Sequence, residues 1–449
     1  MFDRTEPPDA PPLDYVRSAE ASDGRLWCFA AGTSTSHLKH QTSPILIGPT
    51  AMALPLYSKV RQLILQFTYS AIHAFTPLPI SYLRVPMVKR VAPLDLVIIG
   101  RSVLSSFENP TAELYRGLIN QLAQQGHRTT FLEKSFLGTN QPVRDMLRSP
   151  YCEVWTYDDL DSLRDNYTPA IQAADIVLLG SGVDDAEDIA MWIATEARGL
   201  KVYYDTDLAR TIDNLQRAEL AGDCLSCRTI GKFDLFLSTT GGPALERLAR
   251  DNELPFARPL YESVDPYTFY RTDADKSYDL GFIGNYKADR ALLLEDTLLA
   301  PAHFTPNRKF SLAGGGYEIT DDWPPNVTYL EYLPQTNLVD FYNRQRCSLV
   351  LSRADRRSMG FTPTRRLLAA AACGVPVLTD QWDGLDQFLE PQREVFCVSD
   401  RESVLDVLYG TDEAQRQRLG SQARERIMEQ HTVSHRANQL LGYVAEVRG

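Results

Sequence analysis

Apolar and polar positions along most of this chain switch between a strand period and a helix period, and the switches mark the elements. LDLVIIG at 94–100 is apolar but for one charge, which predicts a strand buried on both faces. At 111–125 the residues Leu114, Leu118, Ile119 and Leu122 recur at helical spacing on one face. Strands are expected next at 128–132, 175–180, 201–204 and 234–238, with helices at 185–198 and 241–250. A polar stretch ends at Ser277, and the pattern restarts with YDLGFIG at 278–284. Strands at 309–313, 327–330, 347–352, 375–379 and 395–398 then alternate with helices at 287–299, 335–343, 364–373 and 401–408. Such alternation is the signature of parallel doubly wound sheets, so the chain is predicted to be α/β with two Rossmann-like domains. The first is expected at 94–266, a linker at 267–277 and the second at 278–425, with a last helix, 426–449, returning to the first domain.

The pattern fails upstream. Residues 1–50 mix Pro, Ser, Thr and Asp without periodicity, and 52–86 are apolar but broken by prolines and charges, so neither a signal peptide nor a membrane span is expected. For 56–75 two readings remain, an amphipathic helix on a membrane surface or a segment with no independent fold, and the second is preferred. Residues 1–93 are expected to be a poorly structured extension, with the functional protein starting near Met87.

Composition narrows the partners. A net charge of −12 over 449 residues argues against nucleic acid, because neutralising a phosphate backbone needs a basic surface. Any phosphate bound should belong to a small ligand in a local pocket. Seven cysteines without a paired framework suggest a reducing, cytoplasmic setting, and the lone Cys224/Cys227 pair lacks the further ligands of a zinc site. No metal and no cofactor are expected.

The stretch TPTRRLLAAAACGVPVLTD at 362–380 concentrates the chemistry. Arg365 and Arg366 open a helix whose alanines allow close packing, Cys373-Gly374 ends it, and Thr379 and Asp380 close the next strand at its carboxyl end. This predicts an anion pocket.

The chain from about Leu94 onward resembles the CgeB-type spore-maturation glycosyltransferase-like proteins, relatives of the family-one glycosyltransferases. The resemblance runs in order through LDLVIIG, ELYRGLINQLAQQGHRTTFLE, YYDTD, FDLFLSTTGGPALERL, RPLYESVDP, YDLGFIGNYKADR, FYNRQRCSLVLSRAD and GFTPTRRLLAAAACGVPVLTDQWDGLDQFLEPQREV. It implies a GT-B architecture, two Rossmann-like domains facing a cleft. A nucleotide-activated sugar, of UDP or GDP type, would sit mainly on the second domain, and a glycan, protein or small-molecule acceptor on the first. Three second-domain loops fit the demands of a departing nucleoside diphosphate: Gly284 and Asn285 before a helix, Arg353 and Asp355 after a strand, and Thr364, Arg365 and Arg366 at the next helix, with Asp380 beside them. The alternative for Arg353 is pairing with Asp355 or Asp380.

Acid–base candidates are Asp205 and Asp207, which follow a buried strand, with helix capping as the competing role for Asp207. Ser106, Glu108, Asn109 and Gly241 are candidate acceptor contacts, and Asp265 is read as ordering the hinge. His127 reads as a helix cap, and His431 and His435 as surface or docking residues. The chain also departs from its relatives. RLLAAAACG replaces their RLFEAAACG, so Ala369 stands where a ribose-binding glutamate is usual, and SSFENPTAELYRGL replaces SSWGNGHATTYRGL. Both changes keep open a non-catalytic carbohydrate- or nucleotide-binding protein of the same fold. An oxidoreductase is disfavoured, because neither GRSVLSSF nor GNYKADR supplies a G-x-G-x-x-G.

Overall fold

A computed structural model of the protein describes residues 92–106, 109, 111–135, 144–217, 222–320 and 322–449, all within the compact unit Pro86–Gly449. The expectations for 1–91 and for Glu108 lie outside the described residues.

The first sheet is fully parallel, in the order β3-β2-β1-β4-β5-β6-β7. Its central strands β1 (Asp95–Ile99), β4 (Ile176–Gly180), β5 (Leu200–Asp205) and β6 (Leu235–Ser238) are those with continuous apolar runs, as burial on both faces requires. β2 is Arg128–Lys134 and β7 is the short Ala257–Pro259. β3 (Glu153–Tyr157) and the helix Leu160–Ala173 were not legible in the pattern: the strand is a half-exposed edge, and Pro169 interrupts the helical sequence. Asp159 nonetheless starts that helix firmly, accepting the Ser162 N–H at 2.8 Å while Ser162 reciprocates in a capping box.

The second sheet is also parallel, ordered β10-β9-β8-β11-β12-β13, with β8 at Tyr278–Ile283, β9 at Phe310–Ala313, β10 at Val327–Leu330, β11 at Gln345–Val350, β12 at Val377–Thr379 and β13 at Phe396–Cys397. Strand order reverses direction between β1 and β4 in the first sheet and between β8 and β11 in the second. These two switch points open crevices at the carboxyl ends of the strands, where open α/β sheets bind ligands.

The helix Val433–Arg448 buries Ala437, Leu440, Leu441 and Val444 in the core of the first domain, beside Leu118 and Leu122 of the helix Thr111–Gln124. Its attachment is polar as well as apolar. Arg436 is buried and donates to the Tyr261 carbonyl at 3.0 Å, to Gln439 Oε1 at 3.0 Å and to His431 Nδ1 at 2.8 Å. Asp265 accepts from the Tyr267 N–H at 2.9 Å and from Thr268 Oγ1 at 3.2 Å, ordering the turn that leads out of the first domain. His127 does more than end a helix, since its Nδ1 accepts the Leu94 N–H at 3.1 Å at the entrance to β1.

His431 is therefore a core residue rather than a surface one, and its role as acceptor from Arg436 requires the neutral ring. Burial, followed by the Arg436 charge, pushes its pKa down from 6.5 to about 3. The unfolded chain takes up a proton near the ordinary histidine value, which the folded state refuses, so this contribution is present above about pH 6.5 and is lost as pH falls toward 3. His431→Gln, which retains an acceptor for Arg436, is expected to flatten the acid side of the stability profile; urea midpoints between roughly pH 4 and 7 check this, an unchanged slope counting against it.

Candidate active site

At the second switch point β8 runs into Gly284 and Asn285. The Gly284 N–H donates to the Ala313 carbonyl at 2.8 Å, and the Gly284 carbonyl accepts from Tyr317 Oη at 2.7 Å. Asn285 Oδ1 accepts the Gly315 N–H at 3.1 Å. Its side chain thus braces the glycine-rich turn after β9 instead of being left for a ligand. Beneath this loop lies Arg290, which the sequence pattern did not single out. It is 6% exposed, donates to the Asn285 carbonyl at 2.5 Å and the Leu351 carbonyl at 3.5 Å, and lies over the Phe282 ring at 5.4 Å. It therefore spans the ends of β8 and β11. No carboxylate pairs with it among the described residues, its Nε has no hydrogen-bond partner, and desolvation lowers its pKa.

After β11 the chain delivers Arg353, whose Nε donates to Asp355 Oδ1 at 3.0 Å and whose Nη2 reaches Asp207 Oδ1 and Oδ2 at 3.0 and 3.1 Å. Asp355 is consumed by this pair and by the Arg356 N–H at 2.6 Å. Asp380 is 3% exposed; Oδ1 accepts the Ser352 N–H at 2.9 Å, while Oδ2 has no hydrogen bond and sits 3.7 Å from Arg357 Nη1. Burial raises its pKa. Thr364 caps the helix Arg365–Ala372, accepting the Leu367 N–H at 3.3 Å. The side chains of Arg365 and Arg366 make no hydrogen bond or ion pair among the described residues. Arg366 is solvent-exposed, yet enough protein surrounds it that desolvation lowers its pKa.

On the opposing side, the residues read from sequence are mostly engaged by the protein itself. Asp205 has no exposed surface, so it does not reach an acceptor; its Oδ1 accepts the Asp207 N–H at 2.8 Å and fixes the turn, and burial raises its pKa to about 6. Asp207 is partly exposed but held by Arg353. Ser106 donates through N–H and Oγ to Asp145 at 2.9 and 2.8 Å. Asn109 is buried and donates to the Ser102 and Ser105 carbonyls at 2.8 and 3.0 Å, closing its own loop. The Gly241 N–H is taken by the Phe361 carbonyl at 3.0 Å. Ser106, Asn109 and Gly241 thus brace the loops of the crevice through these bonds.

Gly241 and Phe361 belong to a bridge between the sheets, built by residues 353–362. Arg356 donates to the Thr206 carbonyl at 3.1 Å, Thr240 Oγ1 to Thr362 Oγ1 at 3.2 Å, and Met359 packs on the first-domain core. Phe361 adopts φ 47°, in the left-handed region, with its ring between two glycines: a Cβ on Gly242 or Gly384 would lie 2.3 Å from it. Near the bridge, Glu262 leaves β7 by way of Leu260 and Tyr261. Its Oε2 is shielded from solvent without a hydrogen-bond partner, while Arg365, Arg356 and Arg436 act on it through space.

Residues 290–442 match the glycosyl transferase-like family. Sucrose-phosphate synthase from Thermosynechococcus elongatus is similar in structure, with a TM-score of 0.57 at 15% identity over 79% of this chain and 99% of its own. An alpha-glucosyltransferase in complex with UDP gives a TM-score of 0.60 at 12% identity, covering 78% of this chain and 100% of its own. The fold is GT-B. Anabaena HepE in complex with UDP and glucose agrees, with a TM-score of 0.55 at 13% identity over 79% of this chain and 100% of its own. No curated protein matches the sequence. In GT-B terms the two switch-point crevices face one another across the interdomain cleft, and the family match covers the half that carries the arginines. Among the described residues no cluster of His, Cys, Asp or Glu is placed to hold a metal ion, and no helix is long and apolar enough to cross a membrane.

Proposed function

We propose that the protein is a metal-independent glycosyltransferase, of the CgeB type and acting in the cytoplasm, that moves a hexose from a nucleoside diphosphate sugar to an acceptor hydroxyl. The observation that carries this reading is the set of arginines without carboxylate partners, Arg290, Arg365 and Arg366, on the glycosyl transferase-like half of the cleft. As the bond from the anomeric carbon to the diphosphate breaks, negative charge accumulates on the leaving oxygens and positive charge on the sugar ring. A guanidinium held in a low-dielectric wall, as Arg290 is, stabilises that leaving charge without reorganising, and Arg365 and Arg366 are unpaired among the described residues and can turn toward it. Gly284 leaves room for the Arg290 guanidinium, since a Cβ there would lie 2.8 Å from its Nη2, and Thr364 orients the helix that presents Arg365 and Arg366. Asp380 lies at the same edge, as an acceptor for donor hydroxyls. Arg353 and Asp355 set the position of Asp207, which takes the acceptor proton once Arg353 turns to the diphosphate.

The structures similar in fold that hold UDP make uridine nucleotides the first probes, with guanosine nucleotides second. A panel of nucleotide sugars is expected to yield free nucleoside diphosphate with one donor, and Arg365→Ala is expected to lower that turnover at least ~30-fold, the loss of about 2 kcal/mol for a desolvated charge pair. A non-catalytic binding protein of the same fold is the second reading, favoured by Ala369, which is 2% exposed and leaves no carboxylate at that position. Glycan binding with neither donor binding nor turnover would decide for it.

A further inference from the structure

Asp207 stands in the position of a helix cap but does not cap. Its carbonyl accepts the Thr211 N–H at 3.1 Å and its N–H donates to Asp205 Oδ1 at 2.8 Å, which fixes its backbone at the start of the helix Leu208–Arg217. Among the described residues its carboxylate accepts no N–H of that helix. It crosses instead to the second sheet, where both its oxygens lie on Nη2 of Arg353, at 3.0 and 3.1 Å.

The receiving guanidinium is unevenly used. Asp355 Oδ2 also lies on Nη2, so three carboxylate oxygens share a nitrogen that has two hydrogens, while Nη1 donates to nothing among the described residues. Asp355 is held twice, because Nε also donates to its Oδ1 at 3.0 Å, and Asp207 is the looser partner. The side chains of Arg353 and Asp207 keep 32% and 29% of their surface open, so an anion can reach the pair from solvent. A phosphate oxygen is the acceptor that Nη1 lacks, and a diphosphate brings more charge than a carboxylate. Once displaced, Asp207 has a second home within a side-chain rotation, on the N–H groups that open its own helix.

We propose that Asp207 is an autoinhibitory stand-in for phosphate: in the free protein it occupies Arg353, and the donor diphosphate has to displace it to bind. This rests on the donor-binding reading above and adds to it a competitor built into the first domain. The same displacement frees the carboxylate that takes the acceptor proton. The base is therefore uncovered only when a donor is in place.

Calorimetric titration of the full chain with UDP and GDP compares wild type, Asp207→Asn, Asp207→Ser, Arg353→Gln and the double variant Asp207→Asn with Arg353→Gln. Asparagine and serine both suit a cap position, which protects the fold. Both Asp207 variants are expected to bind the nucleotide about three- to fivefold more tightly than wild type, the range of a half-exposed ion pair. Arg353→Gln should bind it roughly tenfold more weakly. In that background Asp207→Asn should change affinity by less than about 1.5-fold, because the partner it competes for is gone. This arm separates displacement from the plain loss of a negative charge, which would favour an anion with or without Arg353. Unchanged or weaker binding by both Asp207 variants, unfolding of both, no loss on Arg353→Gln, or the same gain in both backgrounds would each overturn the assignment while leaving the donor reading standing. Absence of nucleotide binding by wild type and by both folded Asp207 variants would overturn the two together.

Discussion

Arg290→Met is expected to abolish tight nucleoside diphosphate binding without unfolding the protein. The guanidinium is buried at the crevice between β8 and β11, bonded to two carbonyls and lying over the face of Phe282, with no carboxylate among the described residues to neutralise it. A buried cation in that situation is a liability to the free protein, since its desolvation amounts to several kcal/mol and carbonyl dipoles recover part of it. Methionine fits the same channel, keeps a contact with Phe282 and removes the charge, so the melting temperature of the unliganded variant should hold or rise. Binding should respond in the opposite sense. Removing one member of a desolvated charge pair loses about 2–5 kcal/mol, roughly 30-fold to several thousand-fold in affinity. Thermal shift and calorimetry with UDP and GDP check both halves, and Arg290→Lys should retain an intermediate affinity because charge survives while the fork geometry is lost. Unchanged nucleotide affinity would remove Arg290 from the site. A steep fall in stability would instead show that its bonds to the Asn285 and Leu351 carbonyls hold the two loops.

Gly242→Ala should strongly destabilise the protein through the bridge between the sheets. The residue has φ +61°, and an added Cβ would lie 2.3 Å from Cδ2 of Phe361. The ring has no room to retreat, because its other side faces Gly384 at the same 2.3 Å to a hypothetical Cβ. Left-handed strain of about 1 kcal/mol and overpacking of about 1–3 kcal/mol combine, so a loss of about 3 kcal/mol is expected in urea unfolding. Phe361→Ala in the same chain should restore part of that loss by clearing the space. Full stability of Gly242→Ala alone would mean that the bridge is looser than its geometry indicates.

The architecture was legible because parallel sheets buried on both faces write themselves as apolar runs: LDLVII, DIVLLG and DLFLS each became a strand within a residue or two of the expected span. β3 escaped because an edge strand needs only one covered face, and its helix because Pro169, in its third turn, hides the period. In the site, Arg365 and Arg366 were readable since they open a helix directly before a buried strand. Arg290 was not, because in the sequence it is one more charge at the start of a helix, and only the paired carbonyl ends of two distant strands make it a buried cation. Ser106, Asn109 and Gly241 are engaged within the protein for a shared reason. Short polar residues and glycines gather at strand ends to satisfy the backbone of tight loops, and the same composition describes a ligand contact.

The bridge at 353–362 gives the second domain side chains that are sheltered by the first. Pulling the sheets apart would wet Met359 and Phe361 together and break the Arg353–Asp207 pair and the Gly241–Phe361 bond in the same movement. The apolar part alone is on the order of 2 kcal/mol. Separation is then a minority state reached in one concerted jump, not a gradual widening. Passage of any large acceptor in and out of the cleft would be counted in such jumps, so the pace of exchange is written into an aromatic ring and the two glycines that flank it.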